Sequence, residues 1–356
     1  MQISKLKTLF ERGIINTFCV LIDFVLKLKL NGKSKKTLST KNNVLIIKND
    51  AIGDFVVWSA CLSFYRQLFP PDKYCLILLC NPAVKPIAKS TGQIDEVVIM
   101  DRKKFMLNPI YRASIIKNIN AFNFDTIINP SFSREFASGD LLVDFIKSKQ
   151  KIGVYSDNAI DSSFWTKIGN KFYTKLYIPE LNETKELRKN FSFISFLTGN
   201  EINATLPVLN GIKKEAETKA PYYVVFPGAR VPIRQWETLK FAQLTALIFQ
   251  KTGWRGIICG SKDEIKLAEE IKNYTSAPLD ILSGSTDIMQ LLDLTGGAKL
   301  VVGNETSIIH IAVALNIPSV CILGGGHYGR FVPYPEELKN LGRIPDIANY
   351  PMECFN

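Results

Sequence analysis

Short, unbroken apolar runs alternate with stretches of helical periodicity along most of the chain. In the first half the runs at 44–48, 75–80, 96–100, 124–128 and 151–154 read as strands, and 55–68, 84–90, 109–119 and 141–146 as the helices between them. Pro70 and Pro71 close the first of those helices. The strands are continuously apolar rather than alternating, which predicts parallel sheets covered on both faces. Residues 155–181 are irregular and aromatic, 183–197 reads as a helix and 199–221 as an interdomain linker. The alternation then restarts with strands at 222–226, 256–259 and 300–302, helices at 237–250 and 263–273, and a last strand after Pro318. Two doubly wound halves predict a cleft where ligands meet strand carboxyl ends.

The N-terminal stretch carries an apolar stripe at helical spacing: Leu6, Phe10, Ile14, Phe18, Leu21, Val25 and Leu28. Asn16, Thr17 and Asp23 interrupt it, so it is too polar to span a bilayer, and no small-residue cleavage site follows. Flanking lysines suit a helix lying on an anionic membrane surface. A helix simply packed on the first domain is the equal alternative. A basic linker, KSKKTLSTKNN, follows at 33–43.

With 356 residues, 46% hydrophobic and 22% charged, the composition is that of a globular protein of two ordinary domains. The formal charge of +11 calls for an acidic partner, either anionic lipid or acidic glycolipid. Nucleic acid ranks last, because zinc-finger spacing, RNA-binding aromatic signatures and arginine-rich arms are all missing. Seven scattered cysteines without a C-x-x-C pair fit a reducing compartment and predict neither disulfides nor zinc.

Chemistry concentrates in the turns after strands. Gly303-Asn304-Glu305-Thr306-Ser307 opens a helix with His310 one turn in. A helix N-terminus offers unpaired N–H groups and a favourable dipole to a phosphate. Glu305 better suits a sugar or ribose hydroxyl, and Thr306 or Ser307 could equally be a plain N-cap. The first turn holds Asp50, Gly53 and Asp54, with a single glycine and therefore neither a dinucleotide fingerprint nor a phosphate loop. Asp54 at a helix start reads either as a general base or as an N-cap. After 226 come Gly228, Arg230 and Arg234, suited to a diphosphate. Glu264, after Gly260, suits a ribose hydroxyl or an ordinary first-turn acid. A glycine-rich loop at 324–334 carries His327 and Arg330.

Five segments in this order resemble glycosyltransferase family 9, the group of the ADP-heptose:lipopolysaccharide heptosyltransferases. They are AIGDF at 51–55, FPGA…RQW across 226–236, GSKDE at 260–264, GNETSIIHIAVAL at 303–315 and GGGHYGRFVPY at 324–334. The resemblance covers about 43–356. It implies a GT-B fold of two Rossmann-like domains facing a cleft, preceded by the amphipathic helix. The expected divisions are 1–42, an acceptor-side domain at 43–200 and a nucleotide-sugar domain at 201–356. It implies an inverting, metal-independent reaction without a cofactor, moving a heptose or related sugar from a nucleotide-sugar such as ADP-heptose to a lipid-linked oligosaccharide. The family's catalytic aspartate falls on Asp54, and donor contacts fall on Gly228, Arg230, Arg234, Glu264, Asn304, Glu305, Thr306, Ser307 and His310. Gly53, His327 and Arg330 fall to the acceptor or to the glycine-rich loop. Arg234 stands where the family has lysine, and Glu305-Thr306-Ser307 where it has Asp-Thr-Gly. The sequence stops at Asn356, leaving no closing helix to return to the first domain, so a shortened end is expected. The expected location is cytoplasmic, on the inner face of the membrane. A weakly catalytic nucleotide- or glycan-binding protein and a GT-B nucleotide-sugar epimerase are the alternatives.

Overall fold

The computed structural model describes residues 2–30, 41–209, 220–323, 328–335 and 337–338. The glycines at 324–326, His327 and the chain end therefore lie outside the described residues, as does most of the basic linker. The chain forms two compact units. One comprises 1–50, 61–183 and 188–203, and the other 51–60, 184–187 and 204–356.

The first unit is built on six strands, β1 (Asn42–Lys48), β2 (Tyr74–Cys80), β3 (Glu96–Ile99), β4 (Phe124–Asn129), β5 (Gln150–Val154) and β6 (Lys175–Tyr177). All pairings are parallel, in the order β3-β2-β1-β4-β5-β6. Aliphatic side chains fill both faces of the central strands, as the unbroken runs require, and Leu45, Ile47, Ile77, Leu79 and Ile127 centre one core cluster. β1 starts two residues earlier than its apolar run. Asn43 is buried there because its side chain donates to Asn123 O and its N–H to Asp125.

The second unit holds β7 (Tyr222–Phe226), β8 (Arg255–Ile258), β9 (Leu279–Ile281), β10 (Leu300–Asn304) and β11 (Ser319–Ile322), again parallel, in the order β11-β10-β7-β8-β9. Tyr223, Val225, Phe241, Ile258 and Val302 lie in its core. Both orders run outward from a first strand in two directions, the doubly wound arrangement of a Rossmann-like sheet. The order reverses between β1 and β4 in one unit and between β7 and β10 in the other.

Several elements differ from expectation. The helix expected at 55–68 is two, Ile52–Ser59 and Leu62–Leu68, separated at Ala60–Cys61. The first of these groups with the second unit. The irregular aromatic stretch contains a helix, Ser163–Asn170, and the edge strand β6. β9 and the helix Ile288–Gly297 were not foreseen either. β9 has three residues, too few for a periodicity, whereas the helix start was legible: Asp287 and Gln290 form a reciprocal capping box.

Candidate active site

Ligands of open α/β sheets bind outside strand carboxyl ends at the point where strand order reverses. In the second unit that point lies between the ends of β7 and β10, and the turns singled out by sequence leave from both. Asn304, the last residue of β10, is buried and braces the two turns together. Its Nδ2 donates to Pro227 O at 2.6 Å and its Oδ1 accepts the Trp236 N–H at 3.2 Å. Within the β7 turn itself, Gln235 donates to Ala229 O at 2.9 Å. Asn304 is thus a scaffold residue in this structure.

Glu264 reaches the same turn from β8. Its carboxylate accepts the Ser261 N–H at 2.6 Å, closing a capping box, and fills the space beside Gly228 where a Cβ would stand. A side chain at Gly228 would have to displace that carboxylate. The first-turn role and the approach to the β7 turn coexist in one side chain.

After β10, the Glu305 N–H donates to Ile322 O at 3.0 Å. Burial raises the Glu305 carboxyl above its usual range, and the Arg234 guanidinium opposes that shift. Arg234 is half-buried on the short turn Pro232–Arg234, while Arg230 is exposed. Thr306 stands at the N-cap of the helix Ser307–Ala314, yet its hydroxyl makes no capping bond and is buried without a hydrogen-bond partner. The plain capping role open to Thr306 is therefore not the one it plays.

The helix Ile52–Ser59 packs against this one. A Cβ at Gly53 would lie 3.0 Å from His310 Cδ2 and 3.4 Å from Ser307 Cα, so a side chain there would force the neighbouring helix to give by a few tenths of an ångström. Ala51 takes the N-cap, and Asp54 sits half-buried in the first turn, where the helix dipole favours its ionised form. An N-cap role for Asp54 is thereby ruled out. Asp54 and the Glu305–Ser307 turn belong to one compact unit, although they lie far apart in sequence.

His310 is buried, and its Nδ1 lies 2.8 Å from Tyr334 Oη, with the Phe331 ring beside it. Burial lowers its pKa to about 4, so it is neutral near pH 7. Sequence inspection missed Tyr334, although its place four residues past Arg330 in the glycine-rich loop was visible. Arg330 pairs with the buried Glu186 at 3.1 Å, and Lys185 donates to the carbonyls of Pro333 and Tyr334. These contacts hold the described part of the loop. In the first unit, Asp50 pairs with the buried Lys48 at 2.7 Å. Burial alone would raise its pKa, but the ammonium holds it below the usual carboxylate range. Among the described residues no three His, Cys, Asp or Glu side chains cluster as a metal site.

Two Rossmann-like units, with polar turns gathered at the switch point of the second, are those of the GT-B fold. Comparison narrows the class. The family model for glycosyltransferase family 9 (heptosyltransferase) matches residues 112–354, and the chain belongs to that family. Lipopolysaccharide heptosyltransferase 3 of Escherichia coli K12 is 23% identical over 300 residues, covering 80% of this chain and 83% of the relative. Among solved structures, a family 9 glycosyl transferase from Veillonella parvula DSM 2008 superposes with a TM-score of 0.66 at 14% identity, covering 86% of this chain and 89% of that one. The E. coli heptosyltransferase WaaC with ADP gives 0.65 at 16% identity, covering 81% and 89%.

Proposed function

We propose that this glycosyltransferase moves a heptose, with inversion and without a metal, from ADP-heptose to a lipid-linked oligosaccharide such as a lipopolysaccharide core. The observation that carries the reading is the contact of the Asp54 helix, through Gly53, with Ser307 and His310. It brings a candidate base and a candidate diphosphate site into one unit. In the proposed step Asp54 removes the acceptor hydroxyl's proton, and that oxygen attacks the sugar's anomeric carbon. The bond to the diphosphate breaks as the new glycosidic bond forms, and ADP leaves. Developing negative charge on the diphosphate meets the first-turn N–H groups of Ser307–Ala314, the Thr306 hydroxyl and the Arg234 guanidinium. Such preorganised stabilisation is the electrostatic help a metal-free transfer requires. Glu264 takes a ribose hydroxyl. Glu305 takes a sugar hydroxyl, a role consistent with its burial and its distance from the free-carboxylate norm. The lipopolysaccharide heptosyltransferase relative and the WaaC complexes with ADP and ADP-2-deoxy-2-fluoro heptose support the donor and acceptor classes.

The site of action is the cytoplasmic face of the membrane, with the protein bound peripherally. Among the described residues no helix is long and apolar enough to cross a bilayer. The competing reading is a binding protein on the same scaffold, favoured by Glu305 and Ser307 at positions where the family has aspartate and glycine. Asp54→Asn tests the proposal. Turnover with ADP-heptose should fall on the order of a hundredfold or more, with ADP affinity unchanged. Near-normal turnover in the variant would sink the general-base role, and absence of product from the wild type would favour the binder. EDTA should leave the rate unaltered.

A further inference from the structure

The helix Gln2–Leu30 is amphipathic in the reverse of the usual sense, because the side it turns to its own unit is the polar one. Asp23 accepts two bonds from the fully buried Arg112, Nε at 2.6 Å and Nη2 at 2.5 Å. Asn16 donates to Asp161 at 2.8 Å, Arg12 to Glu135 at 2.9 Å and Lys27 to Asp144 at 2.5 Å. Cys19, Ile15 and Leu26 add apolar contact on this side. The stripe points outward: Phe10 is 71% exposed, Leu21 62%, Phe24 64% and Leu28 66%. Trp165 borders the same surface with Phe10, Ile14 and Phe18, and Phe164 beside it is exposed. A contiguous apolar patch of this kind marks an interaction surface.

Charge decides which partner fits. The helical pitch places the exposed Lys7 on the outward face near its start and the exposed Lys29 at the edge of that face in the last turn. Glu11 lies at its edge, whereas Asp23 is turned inward and paired. An apolar face capped at both ends by ammonium groups complements acyl chains beneath anionic head groups.

We propose that this stripe is an insertion face for an anionic lipid bilayer, carried rigidly by the first unit. The inference rests on the membrane-surface reading above and deepens it, making the contact a built face rather than a detachable tail. The polar clasp sets the rotation of the helix. Phe10, Ile14, Leu21, Phe24 and Leu28 enter the acyl boundary together, and the unit is held at a fixed angle to the bilayer. Removing the helix would strand the buried Arg112 without Asp23 and take one partner each from Glu135 and Asp161, so anchoring and folding cannot be separated by deletion.

The test uses the full chain, flotation with phosphatidylcholine vesicles, and flotation with vesicles containing added phosphatidylglycerol. Wild type should float with the anionic vesicles and much less with the neutral ones. Brominated acyl chains should quench its fluorescence, and the quenching should shrink in Trp165→Phe. Leu21→Glu and Phe24→Glu each replace an exposed side chain, so circular dichroism and ADP binding should match wild type. Each should lower vesicle partitioning by about ten- to a hundredfold. If wild type binds and both variants bind equally, the stripe is not the contact, although peripheral binding by another surface stands. If wild type binds no vesicle, both readings fall. If these substitutions instead abolish a dimer seen by sedimentation, without any vesicle binding, the stripe is an interface between copies and the proposal is overturned.

Discussion

A Cβ placed at Gly228 would meet the Glu264 side chain first, since its three nearest heavy atoms are all from that carboxyl group. Gly228→Ala should therefore act by displacing a carboxylate, and a double-mutant cycle with Glu264→Ala can show it. The backbone at Gly228 is not among the positive-φ glycines, so alanine meets no conformational penalty there. In an otherwise wild-type chain the methyl forces the carboxylate to turn and breaks its bond to the Ser261 N–H. Loss of such a cap costs about 1 kcal/mol, and crowding adds to it, for a total of about 1–2 kcal/mol. Glu264→Ala alone loses the cap and costs about 1 kcal/mol. With that carboxylate gone, Gly228→Ala should be neutral or stabilise by about 0.4–1 kcal/mol through the unfolded chain. The coupling should thus be about 2 kcal/mol, well beyond the few tenths expected of independent sites. Urea midpoints at constant slope measure it, and ADP calorimetry gives a parallel reading. If Glu264 holds the ribose, each single variant should weaken ADP about ten- to a hundredfold, and the double no more than either. Additive changes in the double variant, or a Gly228→Ala protein with wild-type midpoint and affinity, would refute the displacement argument.

Arg234→Ala should weaken ADP by about ten- to a hundredfold, the loss of one charge-assisted contact, and an unchanged calorimetric affinity would remove Arg234 from the diphosphate site. His310 titrates near 6.5 when unfolded and about 4 when folded, so the unfolded chain binds the extra proton. Its contribution is complete above about pH 6.5 and lost as pH falls toward 4, about 3 kcal/mol in all. Replacing His310 with Gln should flatten that part of the stability–pH curve. The difference from wild type isolates it from Asp140, whose burial lifts its pKa to about 6 and whose slope has the opposite sign. Asp23→Ala should destabilise the first unit by about 3–5 kcal/mol, because it strands the buried Arg112 charge, and a loss below about 1 kcal/mol would mean that the clasp is only superficial.

Local pattern carried much of this protein. The strands that are unbroken apolar runs, the polar turns after 226, 260 and 303, and the stripe from Phe10 to Leu28 were all legible, because side-chain period and turn composition are properties of neighbouring residues. The order of strands was not. That β10 pairs with β7 on the side opposite β8, placing the switch point between β7 and β10, depends on pairing between distant segments. So does the grouping of the Asp54 helix with Ser307–Ala314, which needs Gly53 to face a helix some 250 residues later, a separation on which periodicity is silent. Thr306 as an orphaned hydroxyl, Glu264 serving a cap while pressing on Gly228, and His310 against Tyr334 are likewise contacts between elements. The N-terminal helix makes the division plain. Its two faces were visible in the sequence, but which face turns inward was decided by Arg112, Glu135, Asp144 and Asp161. Those four residues make burial of the polar side more favourable than burial of the apolar one.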